Sequence, residues 1–217
     1  MSDRRTGILQ AATRVIARRG VRGLRMGELA AEAGVSTALI YYHFTDRAGI
    51  LRQTLEYISE RADRYTAEDP PGPAERPHAR DQARGPGAEL EQVLLLELQD
   101  TTEVRENSTA WGELRATAVF EPDLREDLAR NTHSWVHDVA ELLAHADPTG
   151  TAPAHAAAAE RLTALVEGLS VRWLSGSLPI EQARRLLRGA IEAELDRGCG
   201  RPGTSGGLDG VDSADPD

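Results

Sequence analysis

The sequence predicts an all-α chain of about nine helices, a small N-terminal domain of three helices followed by a larger helical body. Two observations carry this. Apolar residues recur at the three-to-four spacing of helix faces along most of the 217 residues, and residues suited to begin or end helices stand at the edges of those stretches. No stretch shows the alternation of a strand. With 40% hydrophobic and 28% charged residues, the chain has enough apolar surface to bury a core.

Ile8, Ala12, Val15 and Ile16 share one face of a first helix, which Arg18, Arg19 and Gly20 end with cations at the negative pole and a C′ glycine. Met26, Leu29, Ala30 and Ala33 repeat the pattern until Gly34 stops it after two turns. Ser36 is a good N-cap for a third short helix, Thr37 to Phe44, burying Leu39 or Ile40 together with Phe44. Asp46 caps a fourth, with Leu51, Leu55 and Ile58 on one stripe, running to about Tyr65. Residues 67–87 hold five prolines and three glycines and are expected to be a flexible loop. Helices follow over Leu90 to Thr102, Ser108 to Phe120 and Leu124 to Ala146, with a break at Glu121-Pro122-Asp123. After a second break at Pro148 to Pro153, Leu162, Leu165, Val166, Leu169 and Trp173 mark a helix ending near Gly176. The last helix starts at Leu178-Pro179 and carries Ala183, Leu186, Leu187, Ala190, Ile191 and Leu195. Residues 198–217, rich in glycine and aspartate, are expected to be a disordered tail.

Charge is distributed unevenly. Residues 1 to 53 hold nine arginines against Asp3, Glu28, Glu32 and Asp46, a formal +5, so the rest of a chain of net charge −10 carries −15. A basic segment joined to an acidic body suits a nucleic-acid reader attached to a regulatory domain, because phosphate neutralisation is local. The alternative is an arginine-rich solvated face. All 25 basic residues are arginine, which with abundant Ala, Gly and Pro suggests a high-GC bacterial genome. There is no membrane-length apolar run and no apolar signal core near the N-terminus, so a cytoplasmic location is expected. The single cysteine, Cys199, carries no internal disulfide, and the sequon at Asn107 is discounted for a chain that is not exported.

The second helix, the turn Gly34-Val35-Ser36 and the third helix have the lengths of a helix-turn-helix, whose second member lies in the DNA major groove. The sequence there is more specific than the lengths. Leu29-Ala30-Ala31-Glu32-Ala33-Gly34-Val35-Ser36-Thr37-Ala38-Leu39-Ile40-Tyr41-Tyr42-His43-Phe44-Thr45-Asp46-Arg47 closely resembles the DNA-binding signature of the TetR family of bacterial transcriptional regulators. It departs at Arg25, where the family often has a capping threonine, and at Ala38, where glycine is frequent. The resemblance implies a ligand-responsive regulator, a repressor rather than an activator, with residues 1–50 as the DNA-binding domain and 51–197 as the effector-binding and dimerisation domain.

Ser36 caps the third helix and leaves its free N–H groups for a phosphate; Thr37 and Ala38 stand on the first turn, where side chains reach base edges. Ala38 can contact only a thymine methyl, which leaves part of the readout to DNA shape. Tyr41, Tyr42 and His43 spread over about 200° of helix and cannot all be buried, so at least one faces DNA or solvent; the alternative is an aromatic core. Arg47 matches the phosphate-binding lysine of the resemblance, and Arg25 is a further phosphate candidate or an ordinary exposed arginine.

Residues 162–176 look like the penultimate helix of members that dimerise through a four-helix bundle. Leu162, Leu165, Val166, Leu169, Leu186, Leu187, Ala190 and Ile191 are the expected dimer interface. A homodimer through the last two helices would present two recognition helices about 34–36 Å apart to a palindromic operator on double-stranded DNA. The resemblance places a small-molecule effector between head and bundle. Trp111, Leu114, Phe120, Trp135, Val139 and Trp173 are the large residues available to line its pocket, or to pack. Glu113, Arg115, His133 and Glu167 are available to orient it.

Rival classes are weaker. His133 and His137 stand one turn apart near Asp138 and Glu141, but no metal motif surrounds them, and neither metal nor cofactor is expected. No phosphate loop, nucleophile elbow or Cys-His pair suggests an enzyme. A related helical protein that has lost operator binding is disfavoured by the intact basic head.

Overall fold

The computed structural model describes residues 4–67 and 87–199, which form nine α-helices and two 3-10 turns, with no strand among them. The helices are α1 Arg4–Arg19, α2 Met26–Ala33, α3 Thr37–His43, α4 Arg47–Ala67, α5 Ala88–Leu96, α6 Thr102–Ala118, α7 Arg125–Ala146, α8 Ala152–Leu174 and α9 Ile180–Cys199. Nearly all of the expected loop 67–87 and of the expected tail lies outside the described residues. Among the described residues no helix is long and apolar enough to cross a membrane.

Two boundaries differ from the sequence expectation, both through local capping. The hydroxyl of Thr101 accepts from the Val104 N–H at 3.2 Å, so α6 begins six residues before Ser108 and α5 stops at Leu96 rather than continuing to Thr102. Likewise Thr151 caps α8, and Pro153 sits in its first turn, where a missing N–H costs no hydrogen bond. That proline begins a helix instead of marking a break.

The first core gathers Ile8, Ala12, Val15 and Ile16 of α1, Leu29 of α2, Ile40 and Phe44 at α3, and Ile50, Leu51, Leu55 and Ile58 of α4. Ile40, not Leu39, takes the central place. Ala110, Leu114 and Ala118 of α6 complete this core, so the N-terminal helices are closed from behind by a helix of the body. The second core belongs to α5, α7, α8 and α9.

This second core changes the reading of the last two helices. Leu162, Val166, Leu169, Leu187 and Ile191 are at most 2% exposed within a single chain, Leu165 and Ala190 are half-buried, and only Leu186 among the expected interface residues stands out at 47%. An apolar stripe reports that a face is buried, and here α5 and α7 cover it. Between α8 and α9, Arg161 grips both oxygens of Glu194 at 2.8 and 2.7 Å, and Arg197 adds a second cation; together, with Arg161 dominant, they hold that carboxyl down to about 2.

Candidate nucleic-acid interface and ligand cavity

The turn between α2 and α3 depends on Gly34. Its φ of 65° is left-handed, and the bonds Gly34 N–H to Ala31 O (3.3 Å) and Val35 N–H to Ala30 O (3.0 Å) make the paired closure of a Schellman motif. Ser36 follows in extended conformation, and its Oγ accepts from the Leu39 N–H at 3.2 Å, starting α3. With Ile40 and Phe44 inside, the other face of α3 is outside: Thr37 and Ala38 are exposed, Tyr41 is 55% and Tyr42 82% exposed. Phe44 fills the first core beneath α3, and neither Tyr41 nor Tyr42 enters it. His43 is half-buried, its ring edge-on to Tyr42 at 5.2 Å.

The arginine excess is partly spent inside the head. Arg14 (2.7 Å) and Arg18 pair with Glu32, whose carboxyl they hold below its ordinary range, Arg14 foremost. Arg19 pairs with Glu28 at 2.5 Å. The cations that form no ion pair among the described residues include exposed Arg22 and Arg25, flanking the start of α2. Arg47 is engaged differently from the expectation. Its guanidinium donates to Val21 O at 2.8 Å and Leu24 O at 3.4 Å and lies 3.7 Å from Glu121, beyond α6. It fastens the turn before α2 to the body, and only part of its donor set remains for a phosphate.

Behind the head, α4, α6, α7 and α8 enclose a cavity of about 320 Å³, within the range that holds small ligands. Trp111 and Trp135 line it. The other four large residues named from the sequence do not. Leu114 is 1% exposed in the first core, Trp173 is buried in the second with Arg105 4.7 Å over its ring, and Phe120 is 83% exposed beyond the end of α6. Val139 lines an adjoining cavity of about 370 Å³ that shares Trp135 and Asp138 with the first.

The cavity is acidic: among the described lining residues Glu56, Glu60, Glu97, Asp138 and Glu167 carry negative charge and Arg115 positive. Burial raises the Asp138 carboxyl above its usual range, with His137 opposing and Glu141 adding to the rise. Glu167 on α8 ties two residues of α6: its Oε1 accepts from the Trp111 indole N–H at 3.0 Å and from the Arg115 guanidinium. Arg115 also donates to Thr132 Oγ1 at 2.9 Å and lies 5.4 Å over the Trp111 ring. Asn107, only 5% exposed, gives its amide N–H to Ile58 O at 3.3 Å and leaves its Oδ1 without a partner among the described residues. In the sequence Asn107 stands out only as a discounted sequon, and Glu56 and Glu60 belong to no motif. No three His, Cys, Asp or Glu side chains converge as metal ligands among the described residues; His137 pairs with Glu141 at 3.4 Å.

One helix belongs to both places. While Asn107, Trp111 and Arg115 of α6 face the cavity, Glu113 reaches the head, its Oε2 accepting from the Val21 N–H at 3.2 Å. Gly20 admits this approach, because at φ 69° it has no Cβ, which would stand 2.8 Å from that same oxygen.

Comparisons with known proteins bear on this arrangement. Residues 8–54 match the family described as bacterial regulatory proteins, tetR family, and residues 86–196 match BetI-type transcriptional repressor, C-terminal. The HTH-type transcriptional regulator BetI of Burkholderia thailandensis is 28% identical over 176 residues, 81% of this chain and 82% of that protein. Among solved structures, a TetR-family transcriptional regulator from Rhodococcus sp. superposes with a TM-score of 0.75 at 42% identity, covering 90% of this chain and all of that one. A transcriptional regulator from Saccharomonospora viridis in complex with choline gives a TM-score of 0.69 at 26% identity, covering 87% and 95%.

Proposed function

Because the chain belongs to the TetR family, with a BetI-type C-terminal half, and is a ligand-responsive DNA-binding repressor rather than an enzyme, we propose that it represses as a homodimer on a palindromic operator and leaves it when an organic cation fills the cavity behind the head. One observation carries this reading: α6 lines the cavity on one side and holds the head on the other, so a ligand that moves α6 moves α2 and α3 with it. A ligand acts only through its different affinity for the two states.

Residues 1–50 serve as the DNA-binding domain and 51–197 as the effector and dimerisation domain. Thr37, Ala38, Tyr41 and Tyr42 meet the major groove, Ser36 sets the helix they stand on, and His43 supports Tyr42. Arg25 meets phosphate, and Arg47 contributes chiefly by placing the turn before α2. The acidic cavity favours a cation over an anion, and its indoles favour one that is soft and alkylated, such as the choline held by the Saccharomonospora viridis regulator.

The dimer forms through the outward faces of α8 and α9, where small residues allow close helix approach. Ala157, Ala164 and Gly168 of α8 and Leu186 and Gly189 of α9 are exposed, and a Cβ added to either glycine meets no described atom within 4 Å beyond its own helix backbone. The buried leucines of the sequence expectation support these faces from beneath.

Titration into duplexes tiled from the DNA flanking the gene tests the reading. Sequence-selective binding that weakens steeply with salt, and weakens further in Tyr42→Ala, is expected. Binding that is equal on every tile and unchanged by Tyr42→Ala contradicts it.

A further inference from the structure

We propose that Arg115 is a tethered competitor of the effector: its guanidinium occupies the cation position of the cavity, and the effector binds by displacing it from Glu167 and the face of Trp111. The inference rests on the cation reading above and adds which residue the ligand must replace.

The geometry around Arg115 is that of a bound cation. Its charge meets the Glu167 carboxylate, its central carbon lies 5.4 Å from the centre of the Trp111 ring, and a hydroxyl, Thr132 Oγ1, accepts at 2.9 Å. A carboxylate, an aromatic face and a polar acceptor are what an organic cation would need. Trp111 cannot turn away to another partner without cost, because its N–H is held by the same carboxylate at 3.0 Å.

Arg115 is nonetheless held imperfectly. Its Nε is buried with no acceptor among the described residues, and a buried donor left unpaired costs free energy that displacement would recover. On displacement the freed guanidinium swings toward solvent, to which the side chain is already 35% exposed.

Displacement has a mechanical consequence. Arg115 and Trp111 tie α6 to Glu167 of α8 and, through Thr132, to α7. Replacing the guanidinium by a free cation breaks the tether between α6 and α7 and loosens α6 against α8. The same helix holds Val21 of the head through Glu113. The competitor thus sets both the affinity for the effector and the free position of the head.

Calorimetric titration of the full-length protein with choline tests this, with its uncharged isostere 3,3-dimethylbutan-1-ol as control. If the open cavity is populated at under about a tenth, removing the competitor raises apparent affinity about tenfold or more. Arg115→Met should therefore bind choline at least tenfold more tightly than wild type and lose most of the choline-driven drop in DNA affinity. Arg115→Lys, which keeps the charge without the planar fork, should fall between. Glu167→Gln should bind choline more weakly than wild type. Choline binding by Arg115→Met that is equal to or weaker than wild type overturns the competitor while leaving the cation reading standing. Failure of every protein to prefer choline over its isostere overturns the cation reading and this inference together.

Discussion

Glu113 of α6 accepts a hydrogen bond from the Val21 backbone N–H at 3.2 Å, and this contact spans 92 residues of sequence to join the cavity wall to the turn that precedes α2. Arg47 binds the carbonyl of the same Val21 from the other side at 2.8 Å. Both backbone groups of Val21 are thereby fixed by charged side chains, one from the body and one from α4.

Glu113→Ala should uncouple the two sites. Loss of one hydrogen bond from a charged acceptor costs about 1–3 kcal/mol of stability. The larger effect should appear in linkage: DNA affinities measured with and without choline should approach each other. An unchanged ratio between them would assign Glu113 to stability alone.

Gly168→Arg should break the dimer and spare the subunit. A Cβ at this position has open space beyond its own helix, and the side chain projects from the face of α8 proposed to meet a second copy. Sedimentation should report a monomer with wild-type helicity and operator affinity reduced at least a hundredfold. A dimer of normal affinity would place the interface elsewhere.

Glu194 predicts a pH signature in stability. Its folded value of about 2 lies below its unfolded value, so its contribution is present above the unfolded carboxylate range near 4.5 and is lost as pH falls toward 2. Glu194→Gln should lower stability at pH 7 by about 1–2 kcal/mol, allowing for the exposed Arg161 and Arg197, and by much less at pH 2.5. Denaturant unfolding at the two pH values checks this, and an equal loss at both would remove the charge from the explanation.

Asp138 should give choline binding its own acid dependence. Burial raises this carboxyl, so it takes up a proton before ordinary carboxylates as pH falls, and attraction for a cation falls with it. Wild-type affinity should therefore decline on acidification in a range where Asp138→Asn, weaker at neutral pH, stays flat. Parallel curves for the two proteins would count against a role for Asp138.

The head was legible because its determinants are local. Gly34, Ser36 and the alternation of buried Ile40 and Phe44 with exposed Tyr41 and Tyr42 lie within eleven residues. The body was legible as helices but not as surfaces. Leu162, Val166 and Leu187 announced burial without naming the helix that buries them, and α5 and α7 rather than a second subunit cover those side chains. Tryptophans at large were a fair guide to the cavity for Trp111 and Trp135 and a poor one for Trp173, whose ring is closed by Arg105. Phe120 lies past the last turn of α6, where Arg125 binds the carbonyls of Ala118 and Val119 and the ring is left outside. Asn107, Asp138 and Glu167 come from three helices, and only the tertiary arrangement brings them to one wall.

The most direct test of coupling between the cavity and the head is the affinity of the wild-type protein for its selected operator duplex, measured by fluorescence anisotropy at one salt concentration with and without saturating choline. At least a tenfold weaker complex is expected when choline is bound, and reciprocally weaker choline binding to the protein on DNA. Equal operator affinity in the two conditions, with choline shown to be bound, would contradict it.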